Sequence, residues 1–215
     1  TAYGLIFIIT LWLTEQVAIA KIPINNWTWI LAILAADLSY YWMHRVEHKV
    51  RFFWTIHSVH HSSTEFDLTT GLRLAWLESL FEWIFFVPMV LIGFDLVQTT
   101  VSIVIVVAYQ TWIHTKHINK LSWLDSVFNT PSNHRVHHGS NTEYIDKNFG
   151  GILMVWDHLF GTYQAERKPV IYGLTKNIGT SNPIKINFYE WISIYKDLRN
   201  KKTIGEKLHC LISPP

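Results

Sequence analysis

The stretch from Trp27 to His48 reads W-T-W-I-L-A-I-L-A-A-D-L-S-Y-Y-W-M-H-R-V-E-H. Residues 27–43 are mostly apolar and carry one charged side chain, Asp37, and the histidines His44 and His48 follow directly. Side chains four residues apart lie on the same face of a helix. The pattern therefore predicts a membrane-crossing helix that continues into a pair of metal-ligating imidazoles.

Two further histidine clusters share this tight spacing. Residues 57–61 read H-S-V-H-H and residues 134–138 read H-R-V-H-H, which adds His57, His60, His61, His134, His137 and His138. A looser pair, His114 and His117, follows a long apolar run. Neutral imidazole is the commonest metal-ligand side chain, so these clusters predict a site for more than one metal ion.

The composition indicates a membrane protein. Of the 215 residues, 49% are hydrophobic and only 16% are charged, whereas a soluble chain has about 25% charged residues. The net charge of +2 and the lack of a basic stripe argue against nucleic-acid binding. The one cysteine, Cys210, excludes an intramolecular disulfide framework and a thiolate zinc or iron–sulfur site.

Four apolar stretches predict an all-α integral membrane bundle. They cover about residues 2–20, 27–43, 74–91 and 96–113, each close to the 20 or so residues that a spanning helix needs. The whole chain, 1–215, is then one membrane-embedded domain whose histidine-rich cap comprises 44–73 and 114–215. The alternative is a soluble helical protein, but its core helices would contain shorter apolar runs. Because the chain begins inside an apolar run, further residues are expected before Thr1.

The distribution of positive charge predicts the orientation. Of the 18 Lys and Arg residues, only Lys21 lies in a turn between paired spans, and the rest fall in the cap. By the positive-inside rule, the histidine-bearing cap faces the cytoplasm. The host membrane is then a bacterial inner membrane or the endoplasmic reticulum membrane.

Several polar residues outside the clusters have two or more interpretations. Asp37 is either a carboxylate partner of a ligand histidine or a proton-relay group. Glu78 and Glu82 cap the interfacial end of the third span or line a substrate path. His117 is a ligand, a partner of a ligand or a surface residue.

The C-terminal third carries fewer chemical signals. Residues 163–187 are rich in turn formers and predict irregular structure. Residues 188–207 combine aromatic and basic side chains and predict an amphipathic helix at the membrane interface. His158 and His209 are interpreted as interfacial anchors rather than ligands.

The ligand set indicates a class of chemistry. A structural zinc site closes with four ligands and often uses cysteine, whereas this chain offers about twice that number of imidazoles and no thiolate. Nitrogen-rich ligation with open positions suits iron that activates oxygen, and the ligands suffice for two ions. The protein itself would contribute position, an apolar pocket and exclusion of water.

The order of the clusters, HxxxH, HxxHH and HxxHH with a pair of spans between them, resembles the fatty acid hydroxylase / sterol desaturase superfamily of membrane di-iron oxygenases. The resemblance covers about residues 37–190 and is closest to the alkylglycerol monooxygenase-like branch. It is carried by residues 109–115 (Y-Q-T-W-I-H-T), 129–139 (N-T-P-S-N-H-R-V-H-H-G), 144–151 (Y-I-D-K-N-F-G-G), 155–162 and 172–175.

The resemblance implies a site and an activity. The implied metal ligands are His44, His48, His57, His60, His61, His114, His134, His137 and His138. Two of the polar residues in the matching segments, Asn133 and Asp146, are extra ligands or outer-sphere partners; Asn133 stands where the branch often has histidine. The implied reaction is oxygen-dependent hydroxylation of an ether-lipid, acyl or head-group carbon by two iron ions.

Electrons have to come from outside the chain, because it has no Gly-rich nucleotide fingerprint and no haem or flavin domain. Tetrahydrobiopterin, which the resemblance to alkylglycerol monooxygenase implies, and a separate redox protein are both candidates. The main alternative function is a sterol desaturase or sterol methyl oxidase. A membrane metal transporter is a remote alternative, since it would carry its ligands in mid-span rather than at one surface.

Overall fold

The computed structural model describes residues 2–215, and before residue 12 it describes only the side chains of residues 5, 9 and 10. Ten α-helices occur in this range: α1 (Ala2–Val17), α2 (Asn26–Lys49), α3 (Arg51–His61), α4 (Val87–Ile92), α5 (Leu96–Ile113), α6 (Leu124–Val127), α7 (Pro131–His137), α8 (Val155–Leu159), α9 (Pro183–Asn200) and α10 (Ile204–Ile212). No β-strand occurs among the described residues, so the predicted all-α class is confirmed.

The longest helix, α2, begins at a complete capping box. The Asn25 side chain accepts hydrogen bonds from the first backbone N–H groups, and the Thr28 hydroxyl accepts from the Asn25 N–H. Such a cap satisfies donors that the helix cannot pair internally. The helix runs unbroken for 24 residues through His44 and His48, and it packs along α5, where Ala36 and Val106 are fully buried.

Among the described helices, only α5 is both long and apolar enough to cross a membrane by length and composition. It has 18 residues and is capped by Asp95, whose carboxylate accepts from the Val97 and Gln98 N–H groups. The helix α1 has 16 residues, and α2 is longer but carries several polar side chains.

The stretch 74–91 does not form the single helix that its apolar run predicts. It contains two 3₁₀ segments, Glu78–Leu80 and Glu82–Phe86, before α4 begins. The Glu78 carboxylate accepts from the Ala75 N–H and closes a tight turn there. Pro88 has no N–H to donate, so it suits the first turn of a new helix rather than the interior of a long one.

The predicted amphipathic helix at 188–207 is divided between two helices. The helix α9 starts earlier, at Pro183, and ends at Asn200, and α10 starts after a second capping box made by Thr203 and Glu206. Both helices pack against α3. The Arg51 guanidinium on α3 connects the two helices, because it donates hydrogen bonds to Ser193 and Asp197 on α9 and to Cys210 Sγ on α10.

Candidate metal centre

Nine buried histidines on α2, α3 and α7 and at the ends of α5 and α7 converge in two groups, each with its candidate ligand atoms within 4.8 Å of one another. The five-histidine group contains His44, His48, His57, His61 and His137, and the four-histidine group contains His60, His114, His134 and His138. In the clusters 57–61 and 134–138 the histidines four residues apart share a group, whereas the one between them points to the other group. His44 and His48 also share a group. Because adjacent helical residues are separated by about 100°, His60 and His61 point in different directions, as do His137 and His138.

In the five-histidine group the Nε2 atoms face one another. The distance from Nε2 of His44 to that of His57 is 3.1 Å, and the distance from His48 to His61 is also 3.1 Å. His137 on α7 completes the group, with its Nε2 atom 3.0 Å from that of His61. Residues from three helices thus present the same ring nitrogen to one small volume.

The four-histidine group has the same arrangement around His114, which follows the last residue of α5. Its Nε2 atom lies 2.8 Å from that of His134 and 3.2 Å from that of His60. The Nε2 atom of His138 lies 3.2 Å from that of His134. Gly71 leaves room for the His114 ring, because a Cβ atom at position 71 would lie only 2.9 Å from His114 Nδ1.

The opposite ring nitrogens reveal the tautomer of three of these histidines. Their Nδ1 atoms lie 2.7–3.0 Å from backbone carbonyl oxygens, which pair His44 with Phe149, His114 with Gln110 and His137 with Lys147. A carbonyl oxygen can only accept, so Nδ1 carries the proton and Nε2 keeps its lone pair. Lone pairs directed at each other across about 3 Å repel, and a cation between them removes that repulsion.

The spacing of the nitrogens fits metal coordination. With metal–imidazole bonds of about 2.1 Å, ligand nitrogens at right angles lie about 3.0 Å apart. The Nε2–Nε2 distances of 2.8 to 3.2 Å bracket that value. Each group therefore can hold a metal ion, and the all-nitrogen donor set suits a transition metal rather than Mg²⁺ or Ca²⁺.

Burial keeps these imidazoles neutral. It lowers the pKa of His48, His57 and His114 from 6.5 to about 4. Burial is also the largest cause of the lowered pKa values of the other six histidines, and repulsion from neighbouring imidazoles adds to it. Neutral imidazole is the form that binds metal, so the site is ready for metal at neutral pH.

This arrangement predicts that the metal-free protein is sensitive to mild acid. Because the histidine pKa values are lower in the folded chain than in the unfolded chain, the unfolded state binds more protons below pH 6.5. Stability is therefore full above pH 6.5 and falls as the pH drops towards 4. Thermal unfolding of metal-free protein in detergent between pH 8 and pH 4.5 measures this, with the exposed His117→Gln as a matched control. A melting temperature that stays constant from pH 7 to pH 5 contradicts the prediction.

The loop that supplies the Phe149 and Lys147 carbonyls is fixed by a buried carboxylate. Asp157 on α8 accepts from the Phe149 N–H at 2.8 Å and from the Gly150 N–H at 2.7 Å. The Thr162 hydroxyl also donates to Asp157, at 2.6 Å. Asp157 therefore positions the backbone that orients His44.

Asp37 holds the next part of the same loop. Its carboxylate accepts hydrogen bonds from the backbone N–H groups of Ile152 and Leu153 and from the Trp156 indole. The sequence predicted a direct partner of a ligand histidine or a proton relay. The hydrogen bonds that the described residues give Asp37 instead join α2 to the loop before α8.

The other three polar candidates lie at different distances from the centre. Asp146 is closest, because its Oδ1 atom lies 3.5 Å from His48 Nδ1 while its other oxygen pairs with Lys49. The Asn133 amide donates to two backbone carbonyl oxygens in and just after α6, which fastens the start of α7. His117 is exposed and lies outside both histidine groups.

Glu47 is a site residue that the sequence reasoning missed. Its side chain is buried, and Oε2 lies 3.1 Å from His57 Nδ1. Burial, followed by the charge of Glu78, raises its pKa well above the usual value. Its position in the sequence could have identified it, because Glu47 follows His44 by three residues and therefore shares the helix face of that histidine.

Replacing Glu47 is expected to weaken metal binding. Glu47→Leu removes the carboxyl oxygen that lies 3.1 Å from His57 Nδ1, and the loss of such an outer partner of a ligand histidine costs about 10–100-fold in metal affinity. Glu47→Gln is the control, because its amide oxygen can still accept and most of the affinity should remain. Competition with a calibrated chelator measures the affinity, and equal values for Glu47→Leu and the parent protein contradict the role.

Gly71 offers a second test of the geometry. Gly71→Ala places a methyl group 2.9 Å from His114 Nδ1, so the ring has to move away from the Gln110 carbonyl. We expect lower metal occupancy in the purified protein. Gly205→Ala is the matched control, since nothing lies within 4 Å of a Cβ there. Metal analysis compares the two, and full occupancy in Gly71→Ala contradicts the expectation.

One opening reaches the centre, and a second lies on the helices that carry it. A cavity of about 190 Å³ reaches His48, His61 and His137 and is bordered by Pro214 near the C-terminus. On another face, an almost wholly apolar groove lies between α2, α3 and α4, lined by residues that include Leu38, Trp42, Phe53, Ile84 and Met89.

Comparison with known proteins identifies relatives of this chain by sequence. The human alkylglycerol monooxygenase is 43% identical over 186 residues, which cover 86% of this chain and 42% of that protein. The Danio rerio alkylglycerol monooxygenase is 41% identical, over 89% of this chain and 43% of that protein. The ornithine lipid hydroxylase of Rhizobium tropici is 26% identical, over 85% of this chain and 55% of that protein.

The chain thus spans less than half the length of the alkylglycerol monooxygenases that it matches. No solved structure matches significantly. The model of the fatty acid hydroxylase family matches residues 29–162, a range that includes all nine converging histidines and the loop that orients them. The chain belongs to the fatty acid hydroxylase family.

Proposed function

We propose that this chain is the catalytic part of an oxygen-dependent lipid hydroxylase or monooxygenase that uses two iron ions. The observation that carries the proposal is the convergence of nine imidazole Nε2 atoms in two groups. The relatives support it by their names, which describe an alkylglycerol monooxygenase and an ornithine lipid hydroxylase.

In this proposal the five-histidine group holds one iron and the four-histidine group holds the other. Iron bound in this way supplies the activation of oxygen and the oxidation of a C–H bond. The chain contributes neutral ligands, because burial lowers the histidine pKa values, and it fixes their orientation through Glu47, Gln110 and the loop held by Asp157. Burial of all nine side chains also limits the contact of the centre with water.

The proposed substrate is a membrane lipid that enters from the side. The groove lined by Leu38, Trp42, Phe53 and their neighbours is apolar and lies on the helices that carry His44 and His57. Such a surface fits a hydrocarbon chain. The reacting carbon is then an ether-lipid, acyl or head-group carbon that reaches the two metals.

The proposed membrane placement retains α1, the apolar part of α2 and α5 as crossing helices. The broken segment 74–92 crosses the bilayer between α2 and α5 as an interrupted fourth span, and the histidine-rich cap faces the cytoplasm. Positive residues concentrated in the cap support this orientation. Oxygen and electrons come from the cap side, where the 190 Å³ cavity reaches His137. The reductant is tetrahydrobiopterin or a separate redox protein.

Mass spectrometry of the membrane lipids from cells that carry the protein tests the function. We expect a lipid class that gains one oxygen, or an ether lipid that disappears, with the parent protein but not with His137→Ala. A class that loses two hydrogens instead identifies a desaturase; a Gibberella zeae sterol desaturase is 26% identical over 149 residues. Unchanged lipids in cells that contain iron-loaded protein, its reductant and native lipids contradict the proposal.

A further inference from the structure

One face of α9 is apolar although nothing in the described part of the chain covers it. Ile184, Phe188 and Ile192 follow one another at intervals of four residues, and Ile184 and Ile192 are 60% and 50% exposed. The opposite face, with Ile186 and Ile194, is buried. The helix α9 therefore packs one side against the rest of the described chain and leaves a second apolar stripe on its surface uncovered.

The stripe continues onto the segment before the broken helix. The Trp76 backbone N–H donates to the Asn187 side chain at 2.9 Å, and the Trp76 ring meets the Phe188 ring edge-on. Trp76 is 58% exposed, and Leu72 and Leu74 beside it are exposed as well. Together these residues form the α9 patch: Leu72, Leu74, Trp76, Ile184, Phe188 and Ile192.

Two features of the α9 patch point to a bilayer surface rather than to a protein. First, it adjoins the proposed membrane segment 74–92, because the exposed residues Leu74 and Trp76 belong to both. Second, cationic side chains flank it: Lys185, Lys196, Arg199, Lys201 and Lys202.

The charge around α9 is not balanced from within. The acidic residues between 183 and 203 are Glu190 and Asp197, and Asp197 is already paired with Arg51 on α3. An apolar stripe with Trp at its edge and Lys or Arg beside it matches the chemistry of an interface that contains anionic head groups.

We infer that the α9 patch lies in the head-group region of the bilayer and that its cations recognise anionic lipids. The inference rests on the proposed placement of α5 in the membrane. It adds a lipid contact outside the metal centre, which fixes the cap against the bilayer beside the apolar groove. Apolar burial supplies the attraction, and the cations make it depend on the lipid composition.

Environment-sensitive labels on introduced cysteines test the inference. In a Cys210→Ser background, Ile192→Cys reports on the α9 patch, Val104→Cys on the exposed middle of α5, and Lys168→Cys on a water-exposed loop. Each protein, with the NBD fluorophore attached, is placed as one copy per nanodisc in phosphatidylcholine with or without phosphatidylglycerol. Quenching by dithionite then measures exposure to water, and a second copy cannot shield the label.

We expect the Ile192 label to be quenched about fivefold more slowly than the Lys168 label in discs that contain phosphatidylglycerol. Replacing Lys196, Arg199, Lys201 and Lys202 together by Gln should make the quenching rate of the Ile192 label the same with and without phosphatidylglycerol. A protected Val104 label with a freely quenched Ile192 label overturns the inference and leaves the membrane placement intact. Free quenching of Val104 as well overturns both.

Discussion

His137→Ala should abolish turnover and remove about half of the bound metal while the protein still inserts and folds. His137 Nε2 lies 3.0 Å from His61 Nε2, and its ring packs 4.2 Å from that of His44, at the middle of the five-histidine group. Losing an outer partner of a ligand lowers the metal affinity by up to about 100-fold, so losing the ligand itself should lower the affinity at least as much.

Metal analysis of the purified variant and its rate of lipid oxidation together measure this effect. His117→Ala is the matched control, because His117 is exposed and lies outside both groups. It should keep the metal content and the activity of the parent protein. A His137→Ala protein with unchanged metal and unchanged turnover contradicts the assignment of the five-histidine group.

Arg135→Met should destabilise the protein by about 3–5 kcal/mol, the usual cost of leaving a buried charge unpaired. The Arg135 guanidinium makes two hydrogen bonds to the Glu166 carboxylate, at 3.1 and 2.7 Å. It also donates to the backbone carbonyls of Thr115 and Ile118. The variant leaves the Glu166 charge and both carbonyls without this partner.

Denaturant unfolding in detergent measures the loss, and a double variant separates its causes. Arg135→Met with Glu166→Leu removes the carboxylate that has lost its cationic partner, so it should recover much of the stability. Lys168→Met breaks the exposed pair with Glu143 and should change little. A loss below about 0.5 kcal/mol in Arg135→Met, within the usual range for surface substitutions, contradicts the structural role.

The position of Arg135 links this stability to the metal centre. Arg135 lies between His134 and His137 on α7, and its bonds fix that short helix against the segment after α5. A helix of seven residues has little stability of its own, so tertiary contacts have to hold it. We therefore expect Arg135→Met to lose metal from both groups as well.

Much of the centre followed from local sequence. The apolar run 27–43 and the pair His44 and His48 predicted one helix with both imidazoles on one face, and the structure has that helix. The nine candidate ligands converge, although their binding of metal stays a proposal. These features are readable because helical periodicity depends only on residues a few positions apart.

The broken segment and the outer partners did not follow from local sequence. The run 74–91 is apolar enough for a helix, but Pro88 and the turn at Glu78 interrupt it. Glu47 was passed over because its role depends on His57, which belongs to the next helix. Asp37 was matched to a histidine, whereas its hydrogen bonds go to a loop more than a hundred residues later.

The sequence by itself determined the helical class, the family and the set of nine histidines. Only the tertiary structure decided how those histidines divide: His60 joins His114 and His134, while its neighbour His61 joins His48 and His137. That division depends on how α5 and α7 approach α3, and contacts between residues far apart in the chain depend on packing rather than on periodicity.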